Sequence, residues 1–180
     1  LGASTINGNL EVESGNVSKA NIGDDGIVTV TGTTDLSASG TNNANIATIW
    51  MDDSSHVFGG AISAQGHHVN LKFGAATELG TIRAKKGNVT ITSSGALTQS
   101  GPIQTKSDTT ITASGQDITL NNTLNSFGGN NNATITSTDV LATDEIILTG
   151  ANVEVTSDHS FNVGASTVSG NLTLTSGSAQ

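Results

Sequence analysis

One short pattern, aliphatic or small residues alternating with polar ones, returns about every 20 residues along this chain and constrains the fold more than any other feature. Val89-Thr90-Ile91-Thr92, Thr109-Thr110-Ile111-Thr112, Ala133-Thr134-Ile135-Thr136, Val153-Glu154-Val155-Thr156 and Leu172-Thr173-Leu174-Thr175 begin 20, 24, 20 and 19 residues apart. Val69-Asn70-Leu71-Lys72, Ala47-Thr48-Ile49-Trp50, Val28-Thr29-Val30-Thr31 and Leu10-Glu11-Val12-Glu13 continue the series toward the N-terminus. Side chains alternate across a strand, so each segment has one apolar edge facing in and one polar edge facing out. A sandwich of Thr-rich strands has no reason to repeat one motif at this interval, whereas a coil stacked on itself does.

Shorter alternating runs fill the space between. After Val89–Thr92 come 96–98 and 102–104, after Thr109–Thr112 come 117–120 and 125–127, and after Val153–Thr156 come 160–163 and 166–168. Gly, Asn, Asp and Ser separate them, as corners require. The expected architecture is all-β: a right-handed parallel β-helix (β-solenoid) with about three short strands per rung of roughly 20 residues and no helices. Nine rungs at ~4.8 Å each would make a rod of about 43 Å. Residues 91, 111, 135, 155 and 174 are expected to form one axial column.

A longer period encloses the short one. Leu1-Gly2-Ala3-Ser4-Thr5-Ile6 resembles Val163-Gly164-Ala165-Ser166-Thr167-Val168, and Gly-Asn pairs begin at 8, 87 and 170. The chain therefore reads as a single solenoid segment, 1–180, with long repeats 1–78 and 79–162 and the start of a third at 163–180. The first residue is Leu1 rather than Met, and an upstream part is expected to have been removed.

Composition limits what such a rod can do. Charged residues are 12% of the chain, against a usual share of about 25%. With a net charge of −9 and six basic residues, a nucleic-acid partner is not expected. No apolar run approaches the ~20 residues of a membrane span, so this segment is not expected to insert. Cysteine is absent, which leaves neither disulfides nor thiolate metal sites.

The candidate sites are few. His67 and His68 are neighbours on a strand and point to opposite faces, so with His56 they read as solvated corner histidines rather than metal ligands. Asp24-Asp25-Gly26, Asp52-Asp53 and Asp144-Glu145 are corner carboxylates that could take Ca²⁺ but match no calcium-loop motif; no cofactor is otherwise expected. The same pairs could serve as acid and base in a β-helical polysaccharide-active enzyme. The chain has one Trp, four Phe and no Tyr, too few aromatics for such a cleft, so no catalytic residue is assigned. Outward Thr90/Thr92, Thr110/Thr112, Thr134/Thr136 and Thr173/Thr175 form a rank of the kind that binds ice, broken by Glu154, Asn70, Lys72, Trp50, Glu11 and Glu13. Trp50 takes the outward phase of its strand, and Trp50-Met51 is the candidate contact for a partner or glycan, unless 52–58 folds over it.

Gly170-Asn171-Leu172-Thr173-Leu174-Thr175-Ser176 and Gly95-Ala96-Leu97-Thr98-Gln99-Ser100-Gly101 resemble filamentous haemagglutinin-like exoproteins of Gram-negative bacteria. So do Asp117-Ile118-Thr119-Leu120-Asn121, Asn125-Ser126-Phe127-Gly128-Gly129 and Leu1-Gly2-Ala3-Ser4-Thr5. The resemblance implies an adhesin shaft, secreted or at the cell surface, serving adhesion, biofilm cohesion or fibre formation. Its implied partners are neighbouring repeats or copies of itself along the rod axis, and cell-surface glycans or matrix. The expected function is a non-catalytic structural shaft, with a glycan- or host-protein-binding face as the alternative.

Overall fold

The computed structural model describes residues 1–15, 21–39, 47–127 and 145–177. Within them the alternating segments become strands, and each pairs in parallel with the segments one turn before and one turn after it. No helix occurs among the described residues, so none there is long and apolar enough to cross a membrane. The result is a β-solenoid of about seven turns, about 34 Å of stacked ladder at ~4.8 Å per turn.

Three faces run along the rod. Face A carries Gly2–Ile6, Asp25–Val30 and Val57–Phe58. Face B begins with Leu10–Gly15 and Thr34–Ser39 and ends with Val153–Ser157 and Leu172–Ser176. Face C runs from Ile22–Gly23 and Thr48–Met51 through His68–Phe73, Val89–Ser93 and Thr109–Thr112 to Glu145–Gly150. Face A ends after three strands because Phe73 and Thr77 are joined by only Gly74-Ala75-Ala76, which makes a corner and no strand.

This arrangement corrects two sequence expectations. Ala133–Thr136 lies outside the described residues, and the other eight motifs mark short strands spread over three faces, not successive rungs: Val28–Thr31 lies on face A of the same turn whose face B is Thr34–Ser39. Past face A the expected second and third strands of a rung are halves of one side. Leu97–Gln99 and Ile103–Thr105 both pair with the single long strand Thr77–Ala84, and Asn162–Val163 and Thr167–Val168 both pair with Glu145–Gly150.

The inward column exists, but its membership changes. Met51, Leu71, Ile91, Ile111 and Leu148 stack in direct register on face C, each wholly buried. Val155 and Leu174 belong instead to a face B column that starts at Leu120. Residue 135 lies outside the described residues. The phase slips because the turn after Thr112 is long: Thr109 pairs with Ile146, a 37-residue step. The next Val-x-Val-Thr motif therefore arrives on the other face, where alternation serves equally well. Each fully buried aliphatic side chain contributes roughly 1.5–3 kcal/mol, so the columns hold the turns together. Leu172–Ser176 is paired on one side only, which leaves Leu172 and Leu174 partly exposed.

Corners are satisfied from turn to turn. The Asn9 Oδ1 accepts the Thr33 N–H at 3.0 Å, Asn21 Oδ1 the Thr48 N–H at 3.0 Å, and Asn152 Oδ1 the Asn171 N–H at 3.1 Å. Corner amides have no ladder partner of their own, so a side chain one turn away must accept them. The Gly-Asn pairs at 8 and 170 both open onto face B, whereas Gly87-Asn88 opens onto face C, where the Asn88 N–H donates to His68 Nδ1 at 3.1 Å. Close stacking also demands small residues at corners. A Cβ on Gly95 would lie 2.1 Å from the Ala76 backbone nitrogen and 2.6 Å from the Ala75 carbonyl carbon. Gly95→Ala is therefore expected to destabilise the fold by about 3 kcal/mol, seen as a lower urea midpoint with wild-type near-neutral pH behaviour.

Candidate functional site

From Thr48–Met51 to Glu145–Gly150 the outward edge of face C is polar except at Trp50 and the half-buried Ile147. Thr48–Met51 alternates so that Ile49 and Met51 enter the core while Trp50 stands outside, 51% exposed. Met51 is wholly buried, so the expected Trp50-Met51 contact reduces to Trp50 alone. Residues Asp52 and Asp53 do not cover the ring; instead Trp50 Nε1–H donates to Asp52 Oδ2 at 3.0 Å, which ties the indole to the corner that follows.

That corner is fixed from below. Asp24, at the corresponding corner one turn earlier, is nearly buried and accepts the Asp52 N–H at 2.9 Å and the Asp53 N–H at 3.3 Å. Its Oδ2 also meets His56 Nε2 at 3.1 Å. His56 is wholly buried, and its Nδ1 accepts the Val28 N–H at 3.0 Å. The geometry thus assigns the ring proton to Nε2, donated to Asp24. Burial by itself would raise the Asp24 carboxyl, but the Asp52 N–H, the His56 ring, its own N–H and the Asp53 N–H together hold it below the ordinary aspartate range. The His56 ring also packs 6.1 Å from Phe58, which meets Phe73 edge-on at 5.8 Å.

Two expectations are corrected here. Asp24 and His56 were expected to be solvated corner groups, and both are interior. They lie 32 residues apart, so no local spacing announces the pair; only the stacking of corners brings them together. Asp24 directs its oxygens to backbone N–H groups and the His56 ring.

The other candidates separate. His67 and His68 sit where the chain turns from face B to face C, with Lys85 and Lys86 one turn on. Partial burial, then Lys86, His68 and Lys85, lower the His67 pKa. Asp144 lies outside the described residues, and the Glu145 N–H donates to Asp108 Oδ1 at 3.3 Å. Among the described residues no group of three or more His, Asp or Glu is placed to hold a metal ion. A shallow groove on face B is lined by Glu11, Glu13 and Asp35, with Glu11 directly opposite Asp35; these like charges repel and roughen that face. The threonine rank splits as well. Thr90, Thr92, Thr110 and Thr112 adjoin on face C, while Thr173 and Thr175 lie on face B beside Glu154 and Thr156; Thr134 and Thr136 lie outside the described residues.

Stacked parallel sheets, corner amides that bridge successive turns and a repeated motif define this chain as a β-solenoid repeat protein. It belongs to the family described as "Repeats of unknown function (DUF5649)", whose model matches residues 1–65, 66–134 and 150–179. No curated protein and no solved structure matches it.

Proposed function

We propose that this chain is part of a non-catalytic shaft in a filamentous haemagglutinin-like exoprotein, exposed at the surface of a Gram-negative bacterium and working in adhesion or matrix cohesion. The supporting observation is the uninterrupted axial column Met51–Leu71–Ile91–Ile111–Leu148, which makes the molecule a stiff spacer whose length grows by one strand spacing per turn. In this reading the axial partners are neighbouring repeats or copies of the chain along the rod axis.

A shaft acts through length and stiffness, not through the identity of its surface. Exchanging residues 79–162 for an unrelated solenoid of equal turn number, in the exporting cell, is expected to leave surface display and attachment unchanged. Deleting them without replacement should bring the distal end of the exoprotein closer to the cell. Loss of attachment in the equal-length exchange would remove the shaft reading, as would an epitope in this segment reachable only after cells are permeabilised.

A further inference from the structure

We propose that Trp50 is a binding platform for an uncharged carbohydrate, with the pyranose ring stacked on the exposed indole and its hydroxyls met by the polar groups of face C. The inference does not depend on the shaft reading.

The first ground is the organisation beneath the ring. An exposed aromatic that served nothing would need no support, yet this one ends a chain of contacts that starts in the core. Buried His56 holds the nearly buried Asp24 carboxylate, Asp24 holds the backbone of Asp52 and Asp53, and the Asp52 carboxylate holds the indole N–H. A rod with 12% charged residues has placed a histidine and a carboxylate inside to fix one corner. Fixing the ring before binding removes the cost of ordering it afterwards.

The second ground is the surface around the ring. In the turn before, Trp50 is opposite Gly23, which has no side chain to cover the indole. In the turn after, it is opposite Asn70, with Lys72 and His68 two residues to either side. One apolar ring face set among amide, ammonium and carboxylate groups matches a sugar, which has a C–H face and a hydroxyl rim; the polarised C–H groups meet the negative face of the indole. A protein partner of ordinary size would cover about 800 Å² and surround its aromatic anchor with further apolar contacts, whereas the flanking outward residues here are Thr48, Asn70 and Thr90. The net charge of −9 and the carboxylate touching the ring disfavour polyanions, so the ligand class is neutral.

Trp50 is the only tryptophan, so its emission reports this site alone. The test is titration of the 180-residue chain with neutral oligosaccharides of glucose, mannose and galactose, with oligogalacturonate as the anionic comparator and calorimetry as the second readout. The expected result is a saturable emission shift with at least one neutral series. Trp50→Ala should weaken calorimetric binding about tenfold or more and leave thermal unfolding unchanged, while Trp50→Phe should retain part of the affinity. An unchanged emission with every neutral sugar into the millimolar range would overturn the proposal. So would equal binding by Trp50→Ala, or binding of oligogalacturonate alone.

Discussion

Asn125→Leu is expected to lower the stability of this solenoid by about 4 kcal/mol. Asn125 is wholly buried where three successive turns meet on face B. Its Oδ1 accepts the Ile103 N–H at 2.8 Å and the Gln99 Nε2–H at 2.6 Å. Its Nδ2 donates to the Leu120 and Thr156 carbonyls at 3.1 and 2.9 Å and lies 3.1 Å from Gln99 Oε1. Leucine has the same side-chain branching with two methyl groups in place of the amide atoms and is more hydrophobic, so burial of apolar surface alone would favour it. The deciding effect is that an amide and two carbonyls lose a partner in the interior, each worth about 1–3 kcal/mol when left unmade. The measurement is urea unfolding followed by far-ultraviolet circular dichroism. An Asn125→Leu midpoint equal to wild type would show that the face B turns are held by their aliphatic columns without this bridge.

His56→Ala is expected to cost about 3–5 kcal/mol, because it breaks a buried pair and leaves the other member behind. The Val28 N–H loses its acceptor, Asp24 loses a donor, and the space beside Phe58 empties. A second readout separates this from loss of packing. With Asp24 no longer held, the corner at Asp52 loosens and Trp50 emission should change below the urea concentration at which the sheets unfold. The pH dependence follows from Asp24, whose carboxyl is held below its ordinary range when folded. A depressed folded pKa gives stability that is fully present above the unfolded value, near pH 4, and is lost as pH falls through the lower folded value. The stability gap between wild type and Asp24→Asn should therefore be constant at neutral pH and shrink only in that acid window. A gap that instead shrinks between pH 5 and 8 would contradict the assignment of Asp24 as the titrating partner.

Much of this was legible in the residues themselves. Alternation of Val, Ile and Leu with Thr and Asn sets which side chains turn inward, because strand geometry has period 2 whatever face the strand joins. The motif interval sets that strands stack in parallel, and the outward phase of Trp50 follows from Ile49 and Met51 beside it. The same alternation buries Met51, so its pairing with Trp50 as a surface contact contradicted the rule that placed Trp50 outside.

What the sequence could not settle is which face each strand joins and which corners lie over one another. Val89–Ser93 and Val153–Ser157 carry equivalent patterns yet lie on different sheets, because the long step from Thr109 to Ile146 moves the phase. Asp24 with His56, and Asn125 with Gln99, Ile103 and Thr156, are contacts between turns. Their separation along the chain depends on how long each intervening turn happens to be, so no spacing encodes them; only the stacked rod brings them within hydrogen-bonding distance.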